Sequence, residues 1–384
     1  MTGHARLAPF ACLAAQSRGR LRPEPESPTR TGFQRDRDRV IHSVAFRRLK
    51  HKTQVFVYHE GDHYRTRLTH SIEVAQIARS ISRALGLDED LAEAVALAHD
   101  LGHTPFGHAG EEALDKAMAP YGGFDHNEQT FRILTKLERH YAEFDGLNLT
   151  WETLEGVVKH NGPLRPVADV PRSIAEFSRG FNLELGTHAG GEAQVAALAD
   201  DIAYNNHDID DGLRAGLFTV RDLDDVPVVG AMFGGMADRY PGLDEARLIH
   251  ESIRRLIDHM VTDLLAETRG RLAALNPHSA QDIRDAGAPV VAFSERMRDN
   301  DRALKAFLFA RMYRHDRVIR MIAAAHGVVE DLFALYLADP GRMPAEWQAD
   351  AAGPDEVARA RVVGDYIAGM TDRFALAEHR RLTG

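Results

Sequence analysis

Residues 98–111 read Ala98-His99-Asp100-Leu101-Gly102-His103-Thr104-Pro105-Phe106-Gly107-His108-Ala109-Gly110-Glu111. Apolar residues recur at helical spacing on both sides of this stretch. The pattern predicts one helix that stops near Gly102, at a residue tolerant of positive φ, and a second that begins near Gly107. Pro105 prevents a continuous helix through the turn. The stretch is therefore predicted to be a helix–turn–helix corner.

This corner concentrates groups that bind metals and transfer protons. His99 and Asp100 fall at the end of the first predicted helix, and His108 and Glu111 in the first turn of the second. An adjacent imidazole and carboxylate suit divalent Mn, Fe, Co, Ni or Zn, and suit Mg less well. The flanking residues are apolar, so we expect the His99-Asp100 pair to be buried, where a cation would compensate its charge. The alternative is a polar pair on the surface.

Composition limits the class of protein. The 384 residues are 44% hydrophobic and 27% charged, which is typical of a globular chain that buries a sizeable core. The net charge of −10 argues against a surface that coats nucleic acid. Cys12 is the only cysteine, which excludes an intramolecular disulfide and a thiolate metal cluster. No apolar run approaches the length of a membrane span, so we expect a cytoplasmic protein with no membrane partner.

Three regions are predicted along the chain. Residues 1–32 form an N-terminal arm, in which an apolar run at 7–15 resembles a secretion signal but Pro9 and the charges that follow favour a cytosolic start. The arm is either a mobile terminus or a segment that contacts another subunit or a phosphate group. Residues 33–215 form a core that carries the metal site, and residues 216–384 form a helical region packed on it.

The predicted fold is all-α with one small β-hairpin and additional C-terminal helices. The hairpin is expected at residues 53–67, where β-branched and aromatic residues flank a turn-like Glu60-Gly61-Asp62. Residues 167–191 are rich in Pro and Gly and are expected to be irregular. The remaining pattern predicts a turn at residues 121–129 that leads into a helix ending at Leu137. It also predicts helices over residues 34–49, 68–85, 91–98, 107–117, 151–159, 192–213, 246–275, 290–309, 318–337 and 357–382.

A second informative helix is predicted over residues 192–213. Asp200, Tyr204 and Asp208 are each four residues apart, so they form one stripe along it. Such acidic density is often a solvated face, but here a carboxylate, a phenol and a carboxylate in a row could line a pocket for a metal and polyol hydroxyls. A basic and aromatic cluster at residues 305–315 is either helix-surface charge or a phosphate or base contact.

Four strings of the sequence resemble one family. His70, His99-Asp100 and Asp200 follow the H…HD…D pattern of the HD-domain superfamily of metal phosphohydrolases. The longer strings at residues 33–39, 67–71, 99–108 and 199–208 are similar to those of the deoxyguanosine-triphosphate triphosphohydrolase family, and look closest to its bacterial dGTPase-like branch, relatives of the SAM-and-HD-domain dNTP hydrolases. The resemblance runs in order from about residue 17 to residue 315 and implies an HD-domain helical bundle.

The resemblance implies cleavage of a deoxynucleoside triphosphate (dNTP) into deoxynucleoside and inorganic triphosphate. The implied metal ligands are His70, His99, Asp100 and Asp200, with Asp201 as an alternative to Asp200 that the family register disfavours. The implied catalytic residues are His108, Glu111 and His103, of which His108 would transfer a proton, Glu111 would orient His108, and His103 would contact phosphate or be a polar turn residue. The implied substrate-binding residues are Gln54, Arg67, Tyr204 and Asp208.

The implied cofactor is a divalent metal, Mn or Mg first, with Fe, Co, Ni or Zn as alternatives. The implied partners are a dNTP substrate, a second dNTP as activator and further copies of this chain in a homo-oligomer, whereas single-stranded nucleic-acid binding is not indicated. Three rival interpretations stay open: another HD phosphohydrolase acting on a nucleotide, a non-catalytic nucleotide sensor or single-strand binder, and a helical protein with a structural metal. The dNTP preference is not predicted.

Overall fold

The computed structural model describes residues 7–54, 65–165 and 170–384. The helices of its first half are α1 Gly32–His42, α2 Val44–Arg48, α3 Arg67–Leu85, α4 Glu89–Ala98, α5 Gly107–Met118, α6 His126–Arg132, α7 Trp151–Val158, α8 Arg172–Gly180 and α9 Gly191–Arg214. Those of its second half are α10 Val229–Arg239, α11 Glu245–Leu275, α12 Ala280–Arg284, α13 Glu295–Leu308, α14 Asp316–Ala338, α15 Ala345–Ala351, α16 Glu356–Ala368 and α17 Asp372–Thr383. The prediction of an all-α fold is confirmed.

The β-hairpin falls mostly outside the described residues. Residues 55–64, which include its turn, are not described, and at its two ends Thr53 and Thr66 form an isolated antiparallel bridge. The other isolated bridge in the described ranges joins Arg20 to Thr150, and neither bridge belongs to a sheet.

Several predicted helix limits are wrong for local reasons. The helix expected over residues 34–49 is broken at Ser43, whose hydroxyl caps the start of α2 by accepting from the Phe46 N–H. The helix expected over residues 357–382 is broken into α16 and α17, because Thr371 caps a new helix start. The stretch expected to be irregular contains α8. Within it, Ile174 and Phe177 are three residues apart and pack on the core, a helical pattern that the surrounding Pro and Gly residues obscured.

Two hydrophobic clusters lie inside the described fold. The larger one surrounds α4, which packs against α1, α3, α7 and α9. The smaller one is built from α5, α14, α16 and α17, with Leu114, Leu332 and Ile367 fully buried. Because α5 begins at the predicted corner and packs on α14, the C-terminal helices support one side of that corner.

Helix α14 also corrects an expectation from the sequence. It is long and apolar enough, by length and composition alone, to cross a membrane, whereas we expected no run of that kind. Its buried residues Val329, Leu332 and Tyr336 belong to the smaller hydrophobic cluster, packed on α5 and α16. The apolar character of α14 is thus used, at least on one face, in packing within the fold.

The described part of the N-terminal arm, residues 7–31, packs along the folded core. Arg20 lies 2.5 Å from Asp36 in an ion pair whose side chains are almost fully buried. The Arg18 guanidinium lies 3.8 Å from the centroid of the Trp151 ring, at the start of α7. These contacts attach the arm to α1 and α7 of its own chain. The division of the chain at residues 32 and 215 stays a prediction.

The corner itself is anchored by a buried aspartate in the last helix. Asp372 accepts hydrogen bonds from the backbone N–H of Thr53 at 3.0 Å and of Phe106 at 2.9 Å, and from the Thr53 hydroxyl. Phe106 has a φ of 65°, which a non-glycine residue adopts only when its surroundings favour it. Asp372 therefore helps to hold the turn that leads into α5 and His108.

We expect Asp372→Ala to lower the free energy of unfolding by about 2–4 kcal/mol, because two buried N–H groups lose their acceptor. Urea denaturation of this variant beside Asp299→Ala, which removes an exposed carboxylate paired with Arg302, measures the difference. A loss below about 0.5 kcal/mol, the usual size for a surface substitution, would show that Asp372 does not anchor the turn.

Candidate active site

Three of the four predicted metal ligands converge between helices. His70 lies in the first turn of α3, His99 follows α4, and Asp200 lies in the middle of α9. Their ligand atoms all lie within 4.8 Å of one another. Asp200 Oδ1 is 2.9 Å from His70 Nε2 and 3.5 Å from His99 Nε2. Residues 130 positions apart in the chain are thus brought into one largely buried cluster because α3, α4 and α9 all pack against one another.

The buried atoms of this cluster fit a metal cation. His99 Nδ1 lies 2.6 Å from the carbonyl oxygen of Ala96. Because a carbonyl oxygen only accepts, Nδ1 carries the proton and Nε2 presents a lone pair. His99 Nε2 and Asp200 Oδ1 are both buried, and neither has a hydrogen-bond partner among the described residues. A divalent cation would satisfy both atoms.

The local charges also favour a cation. Burial alone lowers the pKa of His99, but the carboxylates of Asp100 and Asp200 outweigh it and raise that pKa to about 9. For Asp200, burial raises the pKa, yet the charge of the neighbouring His99 and the hydrogen bond from His160 hold it well below its usual range. The two carboxylates therefore make this position favourable for a positive charge.

Asp100, the fourth predicted ligand, lies at the edge of the cluster. Its Oδ1 is 3.4 Å from His99 Nε2 and its Oδ2 is 3.9 Å from His70 Nε2. The same Oδ2 accepts from Arg67 Nη1 at 2.9 Å. Asp201, the alternative ligand, instead pairs with Lys305 at 3.0 Å, with about half of its side chain exposed. The geometry brings Asp100 and Asp200 to the histidines, and not Asp201.

Arg67 provides donors beside the cluster. It is 1% exposed, and its Nε and Nη2 have no hydrogen-bond partner in the part of the chain that the structure describes. Unpaired buried donors on a guanidinium are costly, and an anionic oxygen is their usual partner. Gly107 makes room for this side chain, since a Cβ there would lie 3.0 Å from Arg67 Nη2 at a φ of +59°.

A second group of side chains lies across the corner, in the first turn of α5. His108 Nδ1 is 3.3 Å from Glu111 Oε2, as the spacing of three predicted, and more than half of the His108 side chain is exposed. Glu111 Oε1 accepts more closely from His126 Nδ1, at 2.7 Å. Burial raises the pKa of Glu111, but these hydrogen bonds from His108 and His126 outweigh it and hold the pKa far below its usual range. Glu111 is therefore an ionised acceptor shared by two histidines.

His103 joins the two groups. Its Nε2 lies 3.1 Å from Asp100 Oδ1, and its ring stacks on His126 with centroids 4.0 Å apart. Burial, with the nearby Arg67 charge, holds the pKa of His103 well below its usual value, so the ring is neutral.

The close packing of His126 on the corner requires Gly102, because a Cβ there would lie 2.1 Å from the His126 carbonyl oxygen. Gly102 does not have a positive φ, so its predicted reason was wrong: close packing requires this glycine.

The predicted substrate stripe on α9 is contacted by a residue from the segment between α13 and α14. The hydroxyl of Tyr313 lies 2.5 Å from that of Tyr204 and also donates to Asp208 Oδ2. Burial raises the pKa of Asp208 to about 8. Gln54 is 3% exposed, and its side-chain oxygen has no hydrogen-bond partner among the described residues. The rest of the basic cluster is dispersed, and Lys305 and Arg311 pair with surface aspartates.

Sequence reasoning assigned no role at the site to four residues of this region. They are Glu73, His126, His160 and His207. His160 Nε2 lies 3.2 Å from Asp200 Oδ2, and its ring stacks on His99 at 5.2 Å. The sequence placed His160 just after a predicted helix, but its contact with Asp200 depends on the close packing of α7 at Gly156. A Cβ at Gly156 would lie 2.8 Å from Ala193 and 2.9 Å from Val95, so α7 crosses both α9 and α4 closely.

Comparison with known proteins assigns the family. A family model described as HD domain matches residues 67–205, and one described as phosphohydrolase-associated domain matches residues 291–381. A deoxyguanosinetriphosphate triphosphohydrolase-like protein of Parvibaculum lavamentivorans is 64% identical over 98% of this chain and 96% of its own. The chain belongs to the deoxyguanosinetriphosphate triphosphohydrolase-like family. Proteins of the same name from Brucella anthropi and Azorhizobium caulinodans are 60% and 61% identical, over 99% and 97% of this chain and 96% and 95% of theirs.

Membership of the deoxyguanosinetriphosphate triphosphohydrolase-like family confirms the resemblance seen in the sequence and makes the chain a phosphohydrolase. The HD-domain match includes the cluster of His70, His99 and Asp200, which could hold a divalent metal. The phosphohydrolase-associated match includes Tyr313, which contacts the stripe on α9, and Asp372, which contacts the corner.

Proposed function

We propose that this chain hydrolyses dNTPs, dGTP or several of them, to deoxynucleoside and inorganic triphosphate. The observation that carries the proposal is the buried histidine and carboxylate cluster directly beside the unpaired donors of Arg67. A cation site next to a buried guanidinium suits a polyphosphate, whose oxygens can meet both. The names of the relatives give the substrate class.

In this proposal His70, His99, Asp100 and Asp200 hold the metal. All four offer nitrogen or oxygen atoms, which suits Mn or Mg, with Fe, Co, Ni and Zn as alternatives. When bound, the metal would polarise the α-phosphoryl group and lower the pKa of a water molecule. Arg67 would bind the triphosphate through its free Nε and Nη2, and its bond to Asp100 would keep that carboxylate in place.

The proton steps fall to the group on α5. Glu111 is ionised and only accepts, so it keeps the proton of His108 on Nδ1 and leaves Nε2 free to exchange a proton with solvent or substrate. Because His108 is the exposed member, it can reach the leaving 5′-oxygen or the attacking water. His103, held neutral between Asp100 and His126, would contact a phosphate oxygen.

The sugar would contact the stripe on α9. Tyr204 and Asp208 offer a phenol and a carboxyl group, with Gln54 as a further buried amide. Hydrogen bonds from such fixed groups to the 3′-hydroxyl, with no room at the 2′ position, would exclude ribonucleotides. The proposal also includes a second dNTP as activator, assembly into a homo-oligomer and a cytoplasmic location. It divides the chain into an N-terminal arm (1–32), a core with the metal site (33–215) and a C-terminal helical region (216–384).

The test is turnover of each dNTP alone and of all four together, followed by chromatography of the deoxynucleoside released. We expect turnover with Mn²⁺ or Mg²⁺, none after chelation, and recovery on adding metal back. Activity only in the mixture would support activation by a second nucleotide. Turnover of ribonucleotides or of nucleoside monophosphates in place of dNTPs would contradict the proposed substrate, and no turnover with any metal would favour a sensor.

A further inference from the structure

Behind the candidate metal centre, a chain of three side chains leads from His70 to the surface. His70 and Glu73 lie one turn apart on α3, and His207 lies on α9. His207 Nδ1 is 3.2 Å from His70 Nδ1, and His207 Nε2 is 2.8 Å from Glu73 Oε2. His207 is almost completely buried, whereas Glu73 is partly exposed. None of these contacts involves the side of His70 that faces Asp200.

Glu73, at the surface end of this series of side chains, determines which nitrogen of His207 and of His70 carries the proton. Arg65 Nε donates to Glu73 Oε2 at 2.9 Å, which keeps this carboxylate ionised and therefore an acceptor only. His207 must then carry its proton on Nε2, so its Nδ1 presents a lone pair. His70 must in turn donate from Nδ1, which leaves a lone pair on His70 Nε2, 2.9 Å from Asp200 Oδ1.

We propose that Glu73 and His207 are positioning residues, which fix the tautomer and ring orientation of His70 so that its Nε2 is ready to bind the metal. The inference rests on the proposed function in taking His70 as a ligand. Partners of this kind behind a ligating histidine change metal affinity by about 10- to 100-fold.

The two histidine ligands obtain the same tautomer in different ways. His99 donates from Nδ1 to the carbonyl oxygen of Ala96 on its own helix, so the backbone fixes it. His70 has no such contact among the described residues and depends on side chains from two helices. Substitution of Glu73 or His207 should therefore act on His70 and leave His99 unchanged.

The main test is the affinity for Mn²⁺, measured by calorimetry on metal-free protein without substrate. His207→Leu removes the acceptor of His70 Nδ1–H, and we expect the Kd for Mn²⁺ to rise by about 10- to 100-fold. The matched control is His379→Leu, because His379 also joins two helices through a carboxylate, 2.7 Å from Asp331, but far from the site in the fold. This control should bind Mn²⁺ with the Kd of the unmodified protein.

A second variant tests the inference even if His207→Leu does not fold. Glu73→Gln changes a partly exposed side chain, so the fold should persist. An amide can donate as well as accept, which allows His207 to take the other tautomer and to push the proton of His70 onto Nε2. We expect a rise in the Kd for Mn²⁺ of about 10-fold.

The tautomer itself is a readout that needs no metal. Nitrogen NMR of ¹⁵N-histidine-labelled, metal-free protein should show His70 protonated on Nδ1, and a mixture of tautomers in Glu73→Gln. A purely structural role would lower stability and leave both the tautomer and the Kd for Mn²⁺ unchanged, which would overturn the inference. If the unmodified protein bound Mn²⁺ and obeyed these expectations but hydrolysed no dNTP, the proposed function alone would fail.

Discussion

The variant His108→Ala will lose about 10²- to 10⁴-fold in kcat for dNTP hydrolysis and will still bind Mn²⁺ with unchanged affinity. The size is that of a missing general acid or base. We expect turnover and metal binding to respond differently because His108 is not part of the cluster of His70, His99 and Asp200. Its side chain bonds to Glu111 and is more than half exposed. Steady-state kinetics and calorimetry on one preparation measure both quantities.

The control for this variant is His140→Ala. His140 is likewise partly exposed and bonded to a carboxylate, 2.6 Å from Glu138, but lies in a different part of the chain. Its kcat should stay within about twofold of the unmodified enzyme. Equal kcat for His108→Ala and the unmodified enzyme would remove His108 from the mechanism, and a loss of Mn²⁺ binding in His108→Ala would make it a ligand instead.

The variant Asp200→Asn will lose both metal binding and turnover. Replacing the carboxylate removes the negative group that lies 2.9 Å from His70 Nε2 and 3.5 Å from His99 Nε2. A metal contributes several kcal/mol to stabilising charge in the transition state, so we expect kcat/KM to fall by about 10³-fold or more. Calorimetric titration with Mn²⁺ and the dNTP assay measure the two losses.

The neighbouring residue provides a matched control. Asp201→Asn makes the same chemical change one position later, at a carboxylate that pairs with Lys305 at the surface. We expect its Mn²⁺ affinity and kcat/KM to stay within about twofold, since exposed ion pairs contribute little. The opposite result, with Asp201→Asn inactive and Asp200→Asn active, would assign the ligand to Asp201.

The predicted metal ligands and proton-transfer residues at the corner could be recognised in the sequence because they lie in short local patterns. The positions of His99 and Asp100 at a helix end, and of His108 and Glu111 in the next helical turn, follow from helical spacing and from Pro105. The three-residue separation of His108 and Glu111 was enough to predict their contact. Local chemistry of this kind is visible in one sequence.

The supporting residues could not be predicted because their contacts depend on how helices cross. His207 reaches His70, and His160 reaches Asp200, only where α3, α7 and α9 approach one another. Those approaches are set by packing at positions such as Gly156, whose role becomes visible only with its neighbours in place. Tyr313 belongs to a different region of the chain from Asp208, to which it donates, and its sequence neighbours left surface charge and a phosphate or base contact as alternatives.

The most direct test of the account is the identity of the bond that is broken. Hydrolysis of a dNTP in ¹⁸O-labelled water, followed by ³¹P NMR and mass spectrometry, reports both the products and the position of the label. Attack of water at the α-phosphorus predicts inorganic triphosphate that carries one ¹⁸O on a terminal phosphorus, and unlabelled deoxynucleoside. Deoxynucleoside monophosphate with pyrophosphate, or a label in the deoxynucleoside, would contradict it.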